Sequence, residues 1–285
     1  MSPATPLLRR LNDASSPYVD PLQVLAWDHV ATDVWWLPPD ALSLAGVPGF
    51  EALPLESRRR LSQLEFAWIL ETGLWLESLF IERFGRAAGD DAAPAPLRMR
   101  YLHEVREEAG HSLMFLELLE RSGVRVPPRA RPRSALATAA ARWLPFSGAL
   151  FRTFTVMGEE LGDSLTRRVP AAVEQVTVSA VVYHMARLHV RDEARHVAHT
   201  RAECAEAMGR LPRWAARLIS PLVALALRRF ALALYYPPAA LYEAAGLPAP
   251  TDWRALALRS EARRRFVARA MAPTIEFMRS VGWSV

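Results

Sequence analysis

Two copies of one short motif restrict how this chain can fold. Glu108-x-x-His111 and Glu193-x-x-His196 each lie deep in a long stretch of helical apolar periodicity, and residues three apart share a helix face. His189 lies one turn before Glu193, so this helix presents three potential metal ligands in a column. With 20 Glu and 7 His in the chain, roughly 0.5 Glu-x-x-His pairs are expected by chance. The added histidine makes coincidence much rarer, and the two motifs predict a shared site between packed helices.

The remaining helix signals predict an all-α fold with four long helices. Apolar residues make up 51% of the chain, and long stretches lack the alternation that is typical of strands. Pro and Gly bound the helical segments. We expect one domain over residues 1–285, with an irregular arm at 1–50, a four-helix core at 55–208 and additional helices at 213–285. The four core helices are predicted at about 55–84, 97–122, 147–169 and 171–208.

Composition and charge argue against several classes of protein. The formal net charge is +5 and the pI about 9.9, yet the arginines are scattered and no nucleic-acid-reading motif is present, so no nucleic-acid partner is expected. Cys204 is the single cysteine, which excludes a disulfide framework and favours a reducing compartment. The N-terminal residues contain no apolar signal core, and a cytoplasmic location is expected. The apolar segment from Leu218 to Tyr236 is predicted to be a buried or partner-facing helix rather than a membrane contact.

Two adjacent metal ions need carboxylates that bridge them. Helical bundles that hold two iron ions use one Glu from each of two helices and a Glu-x-x-His from each of the other two, so the first and third helices should each supply a Glu. On the first helix Glu77 lies in the most apolar stretch, where an unpaired charge is costly, and Glu71 is its main rival. On the third helix Glu159 and Glu160 are adjacent, and apolar periodicity does not separate them.

Acidic residues also precede both motif glutamates. Glu107 and Asp192 are predicted to accept hydrogen bonds from the ligand histidines, as carboxylates around metal-bound imidazoles commonly do. Other polar residues receive no role at the site. His199 is interpreted as a core or surface residue, and the run from Arg263 to Arg265 as a solvated face.

Taken together, these segments resemble the p-aminobenzoate N-oxygenase family of di-iron oxygenases, in order and along most of the chain. At two positions the chain departs from residues common in that family, since Glu107 stands where Asp is frequent and Gly110 where Arg is frequent. The matching segments are Gly73-Leu-Trp-Leu-Glu77, Glu104-x-x-x-Glu108-x-x-His111-Ser-Leu-Met-Phe115, Glu159-Glu160-x-x-Asp163 and His189-x-x-x-Glu193-Ala-Arg-His196.

The resemblance implies a ferritin-like four-helix bundle core with additional helices and, in many members, a homodimer. It implies an enzyme that uses O2 and electrons from an external donor to oxidise a small-molecule amine, an arylamine to its hydroxylamine or nitro product, in natural-product biosynthesis. Two iron ions are the implied cofactor, although manganese or a mixed pair accepts the same ligands. Two alternatives stay open: a di-iron hydroxylase or desaturase acting on a carrier-bound or lipid-like substrate, and a non-catalytic iron-binding bundle. The implied ligands are Glu77, Glu108, His111, one of Glu159 and Glu160, His189, Glu193 and His196.

Overall fold

The computed structural model describes residues 4–131, 134–172 and 177–285, and over these ranges the chain is all-α, as predicted. These ranges contain no β-strand, only an isolated bridge between Trp35 and Val178. The α-helices are α1 (Ala4–Ser15), α2 (Pro21–Val24), α3 (Leu55–Ala88), α4 (Ala95–Ser122), α5 (Ala135–Trp143), α6 (Ala149–Thr166), α7 (Arg168–Ala171), α8 (Ala180–Gly209), α9 (Arg213–Tyr235), α10 (Ala239–Ala244), α11 (Trp253–Arg259) and α12 (Glu261–Ser280).

Four long helices, α3, α4, α6 and α8, form the core bundle. α3 packs along α4, α6 packs along α8, and further contacts join α3 to α6 and α4 to α8, which closes a ferritin-like four-helix arrangement. Gly123 ends α4 in a left-handed conformation with φ of 66°, which glycine adopts without strain because it has no Cβ. The packing of these four helices directs side chains from all of them into one interior.

Helix boundaries differ from the predicted ones mainly before α8. The fourth core helix begins at Ala180 and not near residue 171, because Pro170 lies in the separate short helix α7. The third core helix is also shorter than predicted, from Ala149 to Thr166. The N-terminal arm is not irregular throughout, since α1 forms within it and packs against α4 and α8.

The prediction that residues 263–265 form a solvated face is wrong for Arg263. Its side chain is buried, and its guanidinium donates hydrogen bonds to the backbone carbonyls of Tyr235, Ala41 and Leu42. Carbonyls at the end of a helix lack intrahelical partners, and a guanidinium offers five donors in a fixed fork. Arg263 therefore joins the end of α9 to the N-terminal arm.

Helix α9 has one buried and one exposed face. Val223, Leu227 and Leu234 are buried in the core, so the prediction of a buried helix describes only this side. Within the described part of the chain, Arg213–Ala244 is the one helical segment long and apolar enough to cross a membrane by length and composition, and 33% of its apolar window lies inside the protein.

Candidate metal centre

Seven buried carboxylate and imidazole side chains meet in the interior of the bundle. They come from all four core helices and fall into two groups, and within each group the potential ligand atoms lie within 4.8 Å of one another. Their exposed fractions are between 0% and 8%, so solvent screens their charges poorly. The first group is Glu77, His111 and His189, and the second is Glu108, Glu159, Glu193 and His196.

The spacing along α8 and α4 explains how these side chains converge. On α8, Glu193 Oε1 lies 3.7 Å from His189 Nε2 and 3.4 Å from His196 Nδ1, because the three residues share one helix face. From α4, Glu108 Oε1 approaches to 3.2 Å from His196 Nδ1, and His111 Nδ1 to 3.4 Å from Glu193 Oε1. The two Glu-x-x-His motifs therefore face each other across the bundle.

The donor atoms of this cluster fit two metal ions. Several of them are buried and have no hydrogen-bond partner within the protein, a rare and costly condition for a polar atom. Four carboxylates carry four negative charges, which two divalent cations would balance. Oxygen and imidazole donors in this ratio suit iron and manganese. The unpartnered cluster atoms are Glu108 Oε1, His111 Nδ1, His111 Nε2, Glu159 Oε1, His189 Nδ1, Glu193 Oε2 and His196 Nδ1.

The acids that precede the motif glutamates hold the histidines of the opposite helix. Glu107 Oε2 on α4 lies 2.9 Å from Nε2 of His196 on α8. In return, Asp192 Oδ2 on α8 lies 3.5 Å from Nε2 of His111 on α4. The hydrogen bond with Glu107 holds the His196 ring with its other nitrogen towards the cluster, whereas Asp192 lies near His111 Nε2 without a hydrogen bond to it. The predicted role of Glu107 as a hydrogen-bond acceptor is confirmed, and Asp192 makes the corresponding contact.

A third carboxylate, to which the sequence interpretation gave no role, faces the third histidine. Asp163 Oδ1 lies 3.4 Å from His189 Nδ1, while Arg167 pairs with the other oxygen of Asp163. Burial alone would raise the pKa of Asp163, but the contact with His189 and the charge of Arg167 lower it. Its position one turn after Glu159 on α6 was the available signal, since residues four apart share a helix face.

A second buried network, also without a predicted role, supports Glu107. His199 Nδ1 lies 2.8 Å from Glu104 Oε1, and Arg100 Nε donates to the same oxygen at 3.0 Å. Arg100 also reaches Glu107, with Nη2 at 3.5 Å from Oε2. Burial would raise the pKa of Glu104, yet His199 and Arg100 lower it to about 2. His199 is thus a buried partner of an ionised carboxylate, and Glu104 lies one turn before Glu108.

Burial and the crowding of carboxylates shift the pKa values of several groups in the cluster. Burial and the charge of Glu108 raise the pKa of Glu77 well above its usual range, and burial among the other carboxylates does the same for Glu159. Burial alone would lower the pKa of His111, but contacts with neighbouring carboxylates raise it to about 10. These groups hold protons that a metal ion would displace.

The structure separates the two glutamates proposed for the third core helix. Glu159 belongs to the second ligand group, whereas Glu160 lies in neither group. Arg201 on α8 pairs with Glu160 Oε1, and Thr274 on α12 donates to Oε2 at 2.7 Å. Glu160 is therefore engaged in joining α6 to α8 and α12, and only Glu159 is placed to bind metal.

The first core helix presents Glu77, and its rival Glu71 points elsewhere. Ser112 Oγ donates to Glu77 Oε2 at 2.5 Å, which leaves Oε1 within 4.0 Å of His189 Nε2. Glu71 is only partly buried, and its Oε1 lies 3.7 Å from Arg131 Nε.

A narrow cavity adjoins the cluster on the side of α3 and α6. Its volume accessible to water is about 40 Å³, enough for roughly three water molecules. Glu77, Glu159 and His189 line its polar end. Within the described chain, no Lys or Arg lines this cavity. The apolar wall consists of Ile69, Leu70, Leu76, Phe80, Phe115 and Leu234.

The glycine at position 110 has a local explanation. A Cβ at Gly110 would lie 2.5 Å from the hydroxyl oxygen of Tyr18 in the N-terminal arm, so a larger side chain would displace the arm. Arg106 lies over the ring of Tyr18, with its Cζ 4.6 Å from the ring centroid, and stabilises it there. Tyr18 thus occupies the space that a side chain at position 110 would enter.

Comparison with known proteins agrees with this geometry. A family model described as p-aminobenzoate N-oxygenase AurF matches residues 5–282. An uncharacterized protein of Mycobacterium bovis and one of Mycobacterium tuberculosis are each 27% identical to the chain over 241 residues, which cover 82% of this chain and 68% of each relative. The family match spans nearly the whole sequence, and the chain belongs to the p-aminobenzoate N-oxygenase family of di-iron proteins.

Proposed function

We propose that this protein is a di-iron oxygenase that uses O2 to oxidise the nitrogen of a small arylamine. The observation that carries the proposal is the donor set of four carboxylates and three histidines in a chain of this family. When bound, two iron ions reduced by an external electron donor supply the activation of O2. The residues that would hold the ions are Glu77, Glu108, His111, Glu159, His189, Glu193 and His196.

The protein's own groups position this donor set and keep its imidazoles in the ligating tautomer. Glu107 accepts a hydrogen bond from His196 Nε2, which leaves the lone pair of Nδ1 directed at the cluster. Arg195 Nη2 donates to Glu107 Oε1 at 2.7 Å, and together with His196 it holds the pKa of Glu107 at about 2 although burial alone would raise it. Glu107 therefore remains an acceptor throughout the physiological range of pH.

The cavity indicates an uncharged substrate with an apolar body. Its wall offers aromatic and aliphatic side chains, and no cation among the described lining residues could pair with a substrate carboxylate. An aromatic ring exceeds the present volume of about 40 Å³, so side chains of the wall, such as Phe80 and Phe115, must move to admit it.

One observation favours the second candidate, a hydroxylase or desaturase for a lipid-like substrate. Leu234 lines the cavity and belongs to α9, whose opposite face is exposed and apolar. A long apolar substrate could reach the cluster along this helix. The proposed cytoplasmic location, the external donor and a homodimer are compatible with either reaction.

Iron loading followed by single turnover tests the proposal. The metal-free protein is titrated with Fe(II) under anaerobic conditions, mixed with O2 and assayed for hydroxylamine formed from p-toluidine and from p-aminobenzoate. We expect two iron ions per chain and faster turnover of the uncharged amine. In H189A and H196A iron content should fall, while H103A, a change on α4 outside the cluster, should retain it.

Two results of this experiment would contradict the proposal. Unchanged iron content in both H189A and H196A would show that the ligand assignment is wrong. Full iron binding without any O2-dependent product from either amine would exclude N-oxygenation of arylamines and favour the second candidate.

A further inference from the structure

The exposed face of α9 is an apolar stripe at the protein surface. Five large apolar side chains on this face have exposed fractions between 42% and 74%. At 100° per residue, Trp214, Leu218, Leu225 and Leu232 project within about 40° of one another. Surfaces of this kind mark sites of association. The five residues, called the α9 stripe below, are Trp214, Leu218, Leu222, Leu225 and Leu232.

The charged residues of α9 around the α9 stripe are all arginines. Arg213, Arg217, Arg228 and Arg229 are exposed on the same helix, and α9 contains no Asp or Glu. On a helix, Arg217 and Arg228 project along one edge of the stripe, and Arg229 projects between Leu218 and Leu222. An apolar stripe with Trp and Leu between arginines is the pattern of helices that lie in the surface of an anionic membrane.

Two other occupants suit this charge pattern less well. In a two-fold contact between copies of the chain, the same patch meets itself, so the arginines of one α9 would face those of the other with no acidic residue on the helix to pair with them. Insertion across a bilayer would require the opposite face, which contains Val223, Leu227 and Leu234, to leave the protein core. Of the two membrane orientations, only the surface-lying one leaves the fold intact.

We propose that α9 docks this protein on membranes that contain anionic phospholipid, with the α9 stripe in the headgroup region and the arginines on lipid phosphates. This association is independent of the chemistry at the metal cluster. It would place the end of α9 that contributes Leu234 to the cavity next to a pool of apolar molecules.

Sedimentation with vesicles of defined composition tests this inference. The full-length protein is mixed with vesicles of phosphatidylcholine and phosphatidylglycerol in equal parts, or of phosphatidylcholine alone, at low and high salt. We expect binding to the anionic vesicles only, weakened by salt. The L218D/L222D variant should lose this binding while circular dichroism shows the fold retained, because both side chains are exposed.

A second pair of variants tests the role of charge. Each arginine near an anionic surface contributes roughly fivefold to partitioning, so R228Q/R229Q should bind about 25-fold more weakly. R121Q/R125Q removes the same net charge from α4 and the segment after it, where both arginines already pair with glutamates, and should bind within about twofold of wild type.

Three results would overturn the proposal. The first is an absence of wild-type binding to anionic vesicles at low salt, and the second is equal binding by L218D/L222D. The third is a wild-type dimer in sedimentation velocity that L218D/L222D splits into monomers without any vesicle binding, which would assign the α9 stripe to self-association.

Discussion

Replacing the two adjacent glutamates of α6 one at a time should separate metal binding from stability. Glu159 lies among the ligand atoms of the second group, and Glu160 pairs with Arg201 and Thr274. The substitutions E159Q and E160Q are nearly isosteric, and each replaces one carboxyl group with an amide. Only their positions relative to the cluster differ, so each serves as the control for the other.

The structure gives the expected size of each effect. Glu160 accepts a 2.7 Å hydrogen bond from Thr274 and a charge-assisted one from Arg201, whose side chain is 35% exposed. Because solvent screens the partly exposed Arg201, E160Q should lower the free energy of unfolding by only about 1–2 kcal/mol and the Tm by roughly 2–6 °C. E159Q should lower the affinity for one metal ion by more than the roughly 10- to 100-fold that is lost when a hydrogen-bond partner of a metal ligand is removed.

The metal-free E159Q protein should be as stable as wild type. Burial and the neighbouring Glu193 raise the pKa of Glu159, so the native side chain already resists ionisation, and a glutamine can still donate to Glu193. Iron per chain by elemental analysis and Tm by circular dichroism with a chelator provide the two measurements. Equal iron loss in both variants, or iron loss in E160Q alone, would refute the assignment of Glu159 as the α6 ligand.

The remaining predictions concern the fold and the metal-free state. R263A should lower the free energy of unfolding by about 3–5 kcal/mol, because it leaves the buried carbonyls of Ala41 and Tyr235 without their donor and the buried acid Glu65 without its nearby cation. R264A, at an exposed neighbouring position, should change the stability little, and equal thermal melts of the two variants would contradict the assigned contacts. G162A should raise stability by about 1 kcal/mol through helix propensity, since its Cβ would meet no atom within 4 Å, while G158A should lower it because its Cβ would lie 2.7 Å from a phenyl ring of α3; urea titration measures both. With a chelator present, the Tm should fall as pH rises from about 6.5 to 10. The pKa of His111 is raised to about 10 in the folded protein. Its protonation therefore stabilises the fold fully below the pKa of an unfolded histidine, about 6.5, and this stabilisation is lost as the pH rises to the folded pKa. A flat Tm profile over this range would contradict the prediction.

The sequence predicted the parts of the site that depend on position along a single helix. His189, Glu193 and His196 follow from helical spacing alone, since offsets of four and three residues return to one face. Glu159 and Glu160 could not be separated in this way, because what distinguishes them comes from α8 and α12, whose contacts with Glu160 span 41 and 114 residues of sequence.

Backbone partners leave no trace in a sequence, which explains the wrong interpretation of Arg263. Its guanidinium binds carbonyls of the arm and of the end of α9, and any residue type can supply a carbonyl. The nearby buried acid Glu65 favours the charged form of this arginine, but the two residues are almost 200 positions apart, so sequence spacing does not reveal their proximity. Conversely, the fold class depends on the periodicity of whole segments and was therefore predictable.

The arrangement around His111 and His196 shows why the motif is longer than Glu-x-x-His. In both helices an acid precedes the ligand glutamate, and in both cases that acid contacts the histidine of the other helix. One helical step of 100° turns the preceding side chain away from its own cluster face and towards the neighbouring helix. Each helix thus supplies ligands and also fixes the orientation of a ligand on its partner. The geometry of the donor set is consequently a property of the α4 and α8 pair, and neither motif could impose it alone.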